Sequence, residues 1–188
     1  MGKINPNFIT SLRLFVFAPL SCLFIMQEQL VLALMAMVVG EITDALDGYV
    51  ARKTGQISNL GKIYDPMCDC IFHMVIWISF LAVGWAPIYL VLVFFVRDCI
   101  VSNIRICLAS HRIVLSARTS GKIKAITQAS AQISIVIFHI FLRGSMLEQL
   151  QLLIIWSAAI VTVYSLYDYG WKFWQVVKEK GLLSSEQN

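Results

Sequence analysis

The chain has 188 residues, of which 59% are hydrophobic and 14% charged, with a formal net charge of +4 and a mean hydropathy of +0.75. Soluble domains average about 45–50% apolar and about 25% charged residues, so this composition excludes an ordinary soluble domain, and it is too apolar for a disordered chain. It indicates an all-α polytopic membrane protein forming one domain over residues 1–188, because a spanning helix needs about 20 apolar residues and little chain is left over.

Six apolar runs follow in chain order, at about 9–26, 30–50, 63–83, 87–109, 123–142 and 147–176. None alternates with period two, which argues against a transmembrane barrel and for a bundle of six transmembrane helices behind a short N-terminal interfacial segment. Only Lys3 precedes the first run, Arg13 interrupts it, and no A-x-A-like site follows, so it is expected to remain as a span and not be removed as a signal peptide. The last run is long for one span, and its end carries Tyr164, Tyr167, Tyr169, Trp171 and Trp174, read as an interfacial aromatic belt.

The basic residues fall on one set of connections. Lys3, then Arg52, Lys53 and Lys62, then Arg112, Arg118, Lys122 and Lys124, then Lys172, Lys178 and Lys180 lie on one side, against Arg143 alone on the other. The positive-inside bias therefore places both termini in the cytoplasm. No basic stripe or aromatic platform stands clear of the apolar runs, which excludes a nucleic-acid partner. Cys22, Cys68, Cys70, Cys99 and Cys107 are odd in number and form no CxxC pair. They read as small buried hydrophobes and not as a disulfide framework or zinc site.

Chemistry concentrates at the second and third runs. Four of the eleven carboxylates, Asp44, Asp47, Asp65 and Asp69, crowd their cytoplasmic ends, and a carboxylate at membrane depth marks a functional site by default. Asp44 and Asp47 are spaced i, i+3 and Asp65 and Asp69 i, i+4, so each pair shares a helix face. The short connection 51–62 makes the two helices antiparallel neighbours, and the four acids converge. Convergent carboxylates repel unless a cation neutralises them. Oxygen donors suit Mg²⁺ or Mn²⁺, and two such ions would clamp a displacement at phosphorus. The plainer alternative is a set of helix caps and ion pairs with Arg52, Lys53 and Lys62.

The stretch DALDGYVARKTGQISNLGKIYDPMCD, residues 44–69, resembles the signature of the CDP-alcohol phosphatidyltransferase family, D-x2-D-G-x2-A-R-x8-G-x3-D-x3-D, at all eight fixed positions. The resemblance implies a membrane enzyme that transfers a phosphatidyl group from CDP-diacylglycerol to an alcohol and releases CMP. It implies two divalent metal ions, Mg²⁺ or Mn²⁺, held by Asp44, Asp47, Asp65 and Asp69, with Asp69 also the general base. It implies nucleotide contacts from Gly48, Arg52 and Ser58, and from the Asn-x-x-Thr segment Asn7, Phe8, Ile9 and Thr10. A homodimer in a bacterial inner membrane, with the active site at the cytoplasmic face, is the family expectation. Thr10 as a simple helix cap and Ser58 as a simple loop residue stay open beside these roles.

A second cluster is cationic. Arg97 and Asp98 lie in the fourth run, Arg105 follows Arg97 by eight residues, and ARTSGKIKAITQ, residues 117–128, brings Arg118, Lys122 and Lys124. These cations either pair with Asp98 or lipid headgroups, or Arg105, Arg118, Lys122 and Lys124 line a pocket for a phosphorylated acceptor. The segment is most similar to the family's phosphatidylglycerophosphate synthases, whose acceptor is glycerol 3-phosphate. Those enzymes read D-P-x-A-D-K where this chain reads DPMCDC, so Cys70 replaces a lysine. An uncharged polyol such as myo-inositol needs fewer cations, which makes a phosphatidylinositol synthase the alternative. A small cation transporter is the alternative from another class, against which the acids cluster at one end instead of lining a path.

Overall fold

The computed structural model describes residues 10–54, 61–111, 113 and 118–180, without the side chains of 45–54 and 61–66. Six helices account for almost all of it: α1 Thr10–Met26, α2 Leu30–Thr54, α3 Gly61–Ala82, α4 Ile88–Ser110, α5 Thr119–Phe141 and α6 Ser145–Glu179. Each apolar run thus becomes one helix, with ends shifted by a few residues. The largest extensions are polar: α2 runs on to Thr54 and α5 begins at Thr119, because helix geometry continues where apolar composition stops. The N-terminal segment 1–9 lies outside the described residues.

The helices pack as a bundle. α1 lies against α2 and α3, α2 also against α5, α3 against α4 and α5, and α6 against α4 and α5. The core is filled from all six, with Ile25, Met37, Phe72, Trp77, Phe80, Phe94, Ile135 and Ile155 among its buried side chains. Trp77 of α3 stacks on Phe94 of α4 at 4.6 Å between ring centroids, an offset-type contact worth about 0.5–1.5 kcal/mol beyond area burial. Gly40 of α2 packs against the Phe72 ring, where a Cβ would come within 2.6 Å of Cζ. That close approach brings the polar ends of α2 and α3 side by side.

The two ends of the bundle differ. At one end, Trp85 in the α3–α4 turn stacks on His139 of α5 at 3.6 Å. Gln151 of α6 accepts from His139 Nε2 at 2.6 Å and donates to the Trp85 carbonyl, so three elements are tied by one glutamine. The other end holds the charged side chains described below. Between them, large apolar side chains face outward on every helix, including Phe15, Met35, Ile78, Ile88, Ile126 and Ile160. Among the described residues, α5 and α6 are each long and apolar enough to cross a membrane, while α1 and the 67–82 part of α3 are apolar but shorter.

Two sequence expectations need correction. Tyr164, Tyr167, Trp171 and Trp174 are exposed, as an aromatic belt requires, but Tyr169 is fully buried; it occupies the inward face of α6 and meets arginines there. Of the five cysteines, all free, only Cys68 is buried, whereas Cys99 and Cys107 are exposed. An apolar run does not distinguish a core-facing thiol from one on the outer face of the bundle.

Candidate active site

One cleft of about 490 Å³ opens at the charged end, walled by α1 to α6. At its first end, α2 presents Asp44 and α3 presents Asp69, and both reach Arg13 of α1. Arg13 Nη2 lies 2.5 Å from Asp69 Oδ1 and Nη1 pairs with Asp44 Oδ1, while the guanidinium sits 5.0 Å above the Phe72 ring. Arg13 is 1% exposed, against 39% for each carboxylate side chain. The acids therefore open into the cleft and their shared cation lies behind them.

The backbone explains how Arg13 gets there. Residues Arg13–Phe17 form a π-helical stretch, with the Ala18 N–H donating to the Arg13 carbonyl. Pro19 follows within the first turn of the regular α-helix. A proline ring clashes with the carbonyl four residues back in a regular helix, and a widened turn before it relieves the clash; such turns recur at functional sites. Thr10, one turn before Arg13, is buried at the start of α1. Deeper in the cleft, His73 Nδ1 donates to Gln132 Oε1 at 2.8 Å. Gln132 Nε2 donates back to the His73 carbonyl, tying α3 to α5 one turn from Asp69. His73 Nε2 lies 3.8 Å from Glu41 Oε1.

At the second end the polarity is reversed. Asp98 of α4 is buried and accepts from Lys124 Nζ at 2.8 and 2.9 Å and from Arg97 Nη1 at 2.8 Å. Arg97 Nη2 donates to Ser165 of α6 at 2.7 Å. Arg105, two turns beyond Arg97, donates to the Tyr169 hydroxyl at 2.8 Å. Arg118, immediately before α5, pairs through Nε with Asp168 Oδ2 at 2.6 Å. Lys122 lines the same wall. A buried charge survives only when paired and hydrogen-bonded, and this end satisfies its cations with two aspartates, a serine and a tyrosine.

The cleft thus brings together Asp44, Asp69, Arg105, Arg118, Lys122 and Lys124 of the residues singled out from sequence. Of that group Lys124 is the most committed, being buried against Asp98. Asn7, Phe8 and Ile9, Ser58, and the side chains of Asp47, Gly48, Arg52 and Asp65 lie outside the described residues. Sequence reasoning missed Arg13, Glu41, His73, Asp168 and Tyr169, all lining the cleft or bonded to its walls. For Arg13 the signal was present: a cation inside an apolar run needs an anionic partner, and the nearby acids were already known.

Comparison with known proteins gives the family of the chain. The model of the family described as CDP-alcohol phosphatidyltransferase matches residues 3–164, and the chain belongs to that family. Among its relatives is the CDP-diacylglycerol–glycerol-3-phosphate 3-phosphatidyltransferase of Bacillus subtilis strain 168, 31% identical over 141 residues, covering 75% of this chain and 72% of that one. The protein of the same name from Rickettsia prowazekii strain Madrid E is 31% identical over 177 residues, 90% of this chain and 94% of that one. That from Treponema pallidum strain Nichols is 29% identical over 152 residues.

Family membership sets aside the transporter reading and brings with it a divalent metal requirement. The described side chains fit such an ion. Asp44 and Asp69 offer oxygen donors only, the preference of hard divalent cations, and they already converge on one positive group. Among the described residues no three potential ligands are grouped closely enough to hold a metal alone; Asp47 and Asp65, on the same two helices, lie beyond that description.

Proposed function

We propose that this chain transfers a phosphatidyl group from CDP-diacylglycerol to glycerol 3-phosphate and releases CMP. The observation that carries the reading is the single cleft with half-exposed carboxylates at one end and cations at the other. A metal-bound pyrophosphate suits the first end and an acceptor phosphate the second. The relatives' names point the same way.

In this reading Asp44, Asp47, Asp65 and Asp69 hold two Mg²⁺ or Mn²⁺ ions. Bound there, the ions supply charge neutralisation for the diphosphate and the departing CMP. Gly48, Arg52 and Ser58, with Asn7, Phe8, Ile9 and Thr10, hold the nucleotide. Arg105, Arg118, Lys122 and Lys124 orient the acceptor through its phosphate, since charge-assisted hydrogen bonds fix both position and direction. Asp69 takes the proton from the acceptor hydroxyl as that oxygen attacks the phosphorus next to diacylglycerol. No covalent enzyme intermediate is required.

The whole chain acts as one membrane domain of six spans, with both termini and the cleft at the cytoplasmic face, and pairs as a homodimer. The outward apolar side chains on all six helices support a lipid-facing surface, since soluble monomers rarely expose such large contiguous apolar area. An acceptor panel tests the reading. Purified protein with CDP-diacylglycerol and Mg²⁺ should release CMP with glycerol 3-phosphate and not with myo-inositol, serine or choline. CMP release with myo-inositol alone would replace the acceptor with an uncharged polyol.

A further inference from the structure

Tyr169 is fully buried at the cation end of the cleft, and three arginines converge on it. Its hydroxyl accepts from Arg105 Nη2 at 2.8 Å and from the Arg118 backbone N–H at 3.2 Å. Its ring lies under the guanidinium of Arg97 at 5.5 Å and of Arg105 at 5.3 Å. Guanidinium groups within about 6 Å of an aromatic face are held there by the ring quadrupole. The preceding residue, Asp168, binds Arg118 Nε and accepts from Ser120 Oγ at 2.5 Å. Two adjacent residues of α6 therefore set the position of α4's arginines and of the first turn of α5.

Tyr169 lines the cleft together with Arg105, Arg118 and Lys122. We infer that Tyr169 is a positioning residue for the acceptor: it fixes Arg105 and Arg118, the cations that surround the acceptor phosphate. The inference rests on the proposed use of a phosphorylated acceptor.

Gly121 supplies an independent probe, since a Cβ there would come within 2.8 Å of the Tyr169 hydroxyl and displace it without altering a charge. Steady-state kinetics with glycerol 3-phosphate and CDP-diacylglycerol test the inference. Tyr169→Phe keeps the ring and removes the hydroxyl. It should raise the glycerol 3-phosphate KM about tenfold, the scale of one hydrogen bond to a charged group, with kcat and the donor KM within about twofold. Gly121→Ala should shift the same constant in the same direction. A wild type that uses glycerol 3-phosphate while Tyr169→Phe leaves its KM unchanged overturns the role of Tyr169 alone. Equal losses in kcat and in both KM values overturn it too, as they mark a merely structural tyrosine. A wild type that uses only myo-inositol overturns both this inference and the acceptor reading.

Discussion

At one end of the cleft two carboxylates share one cation; at the other two cations share one carboxylate. Asp44 and Asp69 are 39% exposed around a buried Arg13, whereas Asp98, Arg97 and Lys124 are all buried together. Exposed groups exchange partners at low cost, because water compensates what the protein releases, while breaking a buried pair leaves an uncompensated charge. The first end thus leaves its carboxylates within reach of a ligand while its cation is buried, and the second buries both signs of charge. Arg118 and Lys122 are the cations nearer solvent there.

The largest effect should come from the acid end. Asp69→Asn retains size but cannot accept a proton, and should lower kcat by about 10²- to 10⁴-fold, the usual contribution of general base catalysis, while the protein remains folded in detergent. Near-normal turnover of that variant at saturating metal would remove Asp69 from the role of base.

Asp98→Asn breaks the other end and should act on stability first. Leaving Arg97 and Lys124 buried without their counter-ion should cost about 3–5 kcal/mol, seen as a lowered thermal midpoint of the purified protein. A midpoint equal to wild type would mean that the triad is not the anchor of α4 to α5.

The smallest effect sharpens the comparison. Cys70, read from the sequence as standing in place of a lysine, lines the cleft between the two ends. Cys70→Lys adds a cation beside the acceptor and should improve kcat/KM for glycerol 3-phosphate by about threefold, the scale of a partly solvated ion pair. A loss of activity with glycerol 3-phosphate would show that the thiol's small volume, and not the missing charge, is what this position requires.

Much of this was legible in the sequence, for definable reasons. Apolar runs report helices faithfully when a helix must bury or shield its whole length, so six runs became six helices. The i, i+3 and i, i+4 spacing of acids reports a shared face, and Asp44 and Asp69 do meet across two helices. Arg97 and Arg105, eight residues apart, both reach the Tyr169 ring, as helix periodicity requires. Partnership across distant segments was not legible. A cation inside an apolar run told that Arg13 needs an anionic partner but not which helices supply it, and nothing in YSLYDYGW, residues 164–171, separates the buried Tyr169 from its exposed neighbours Tyr164 and Tyr167. The partner of Lys124 was not legible either, because sequence gives its charge but not the Asp98 carboxylate it meets on another helix.

The central claim is that the two ends of one cleft serve different substrates. Its most direct test is the pair of KM values for CDP-diacylglycerol and glycerol 3-phosphate in Asp44→Asn and in Lys122→Ala. Asp44→Asn should raise the donor KM and the Mg²⁺ requirement with little change for the acceptor. Lys122→Ala should raise the acceptor KM by about 10- to 100-fold, at about 1.4 kcal/mol per decade, and leave the donor nearly unchanged. Both variants raising the same substrate's KM would contradict the division of the cleft.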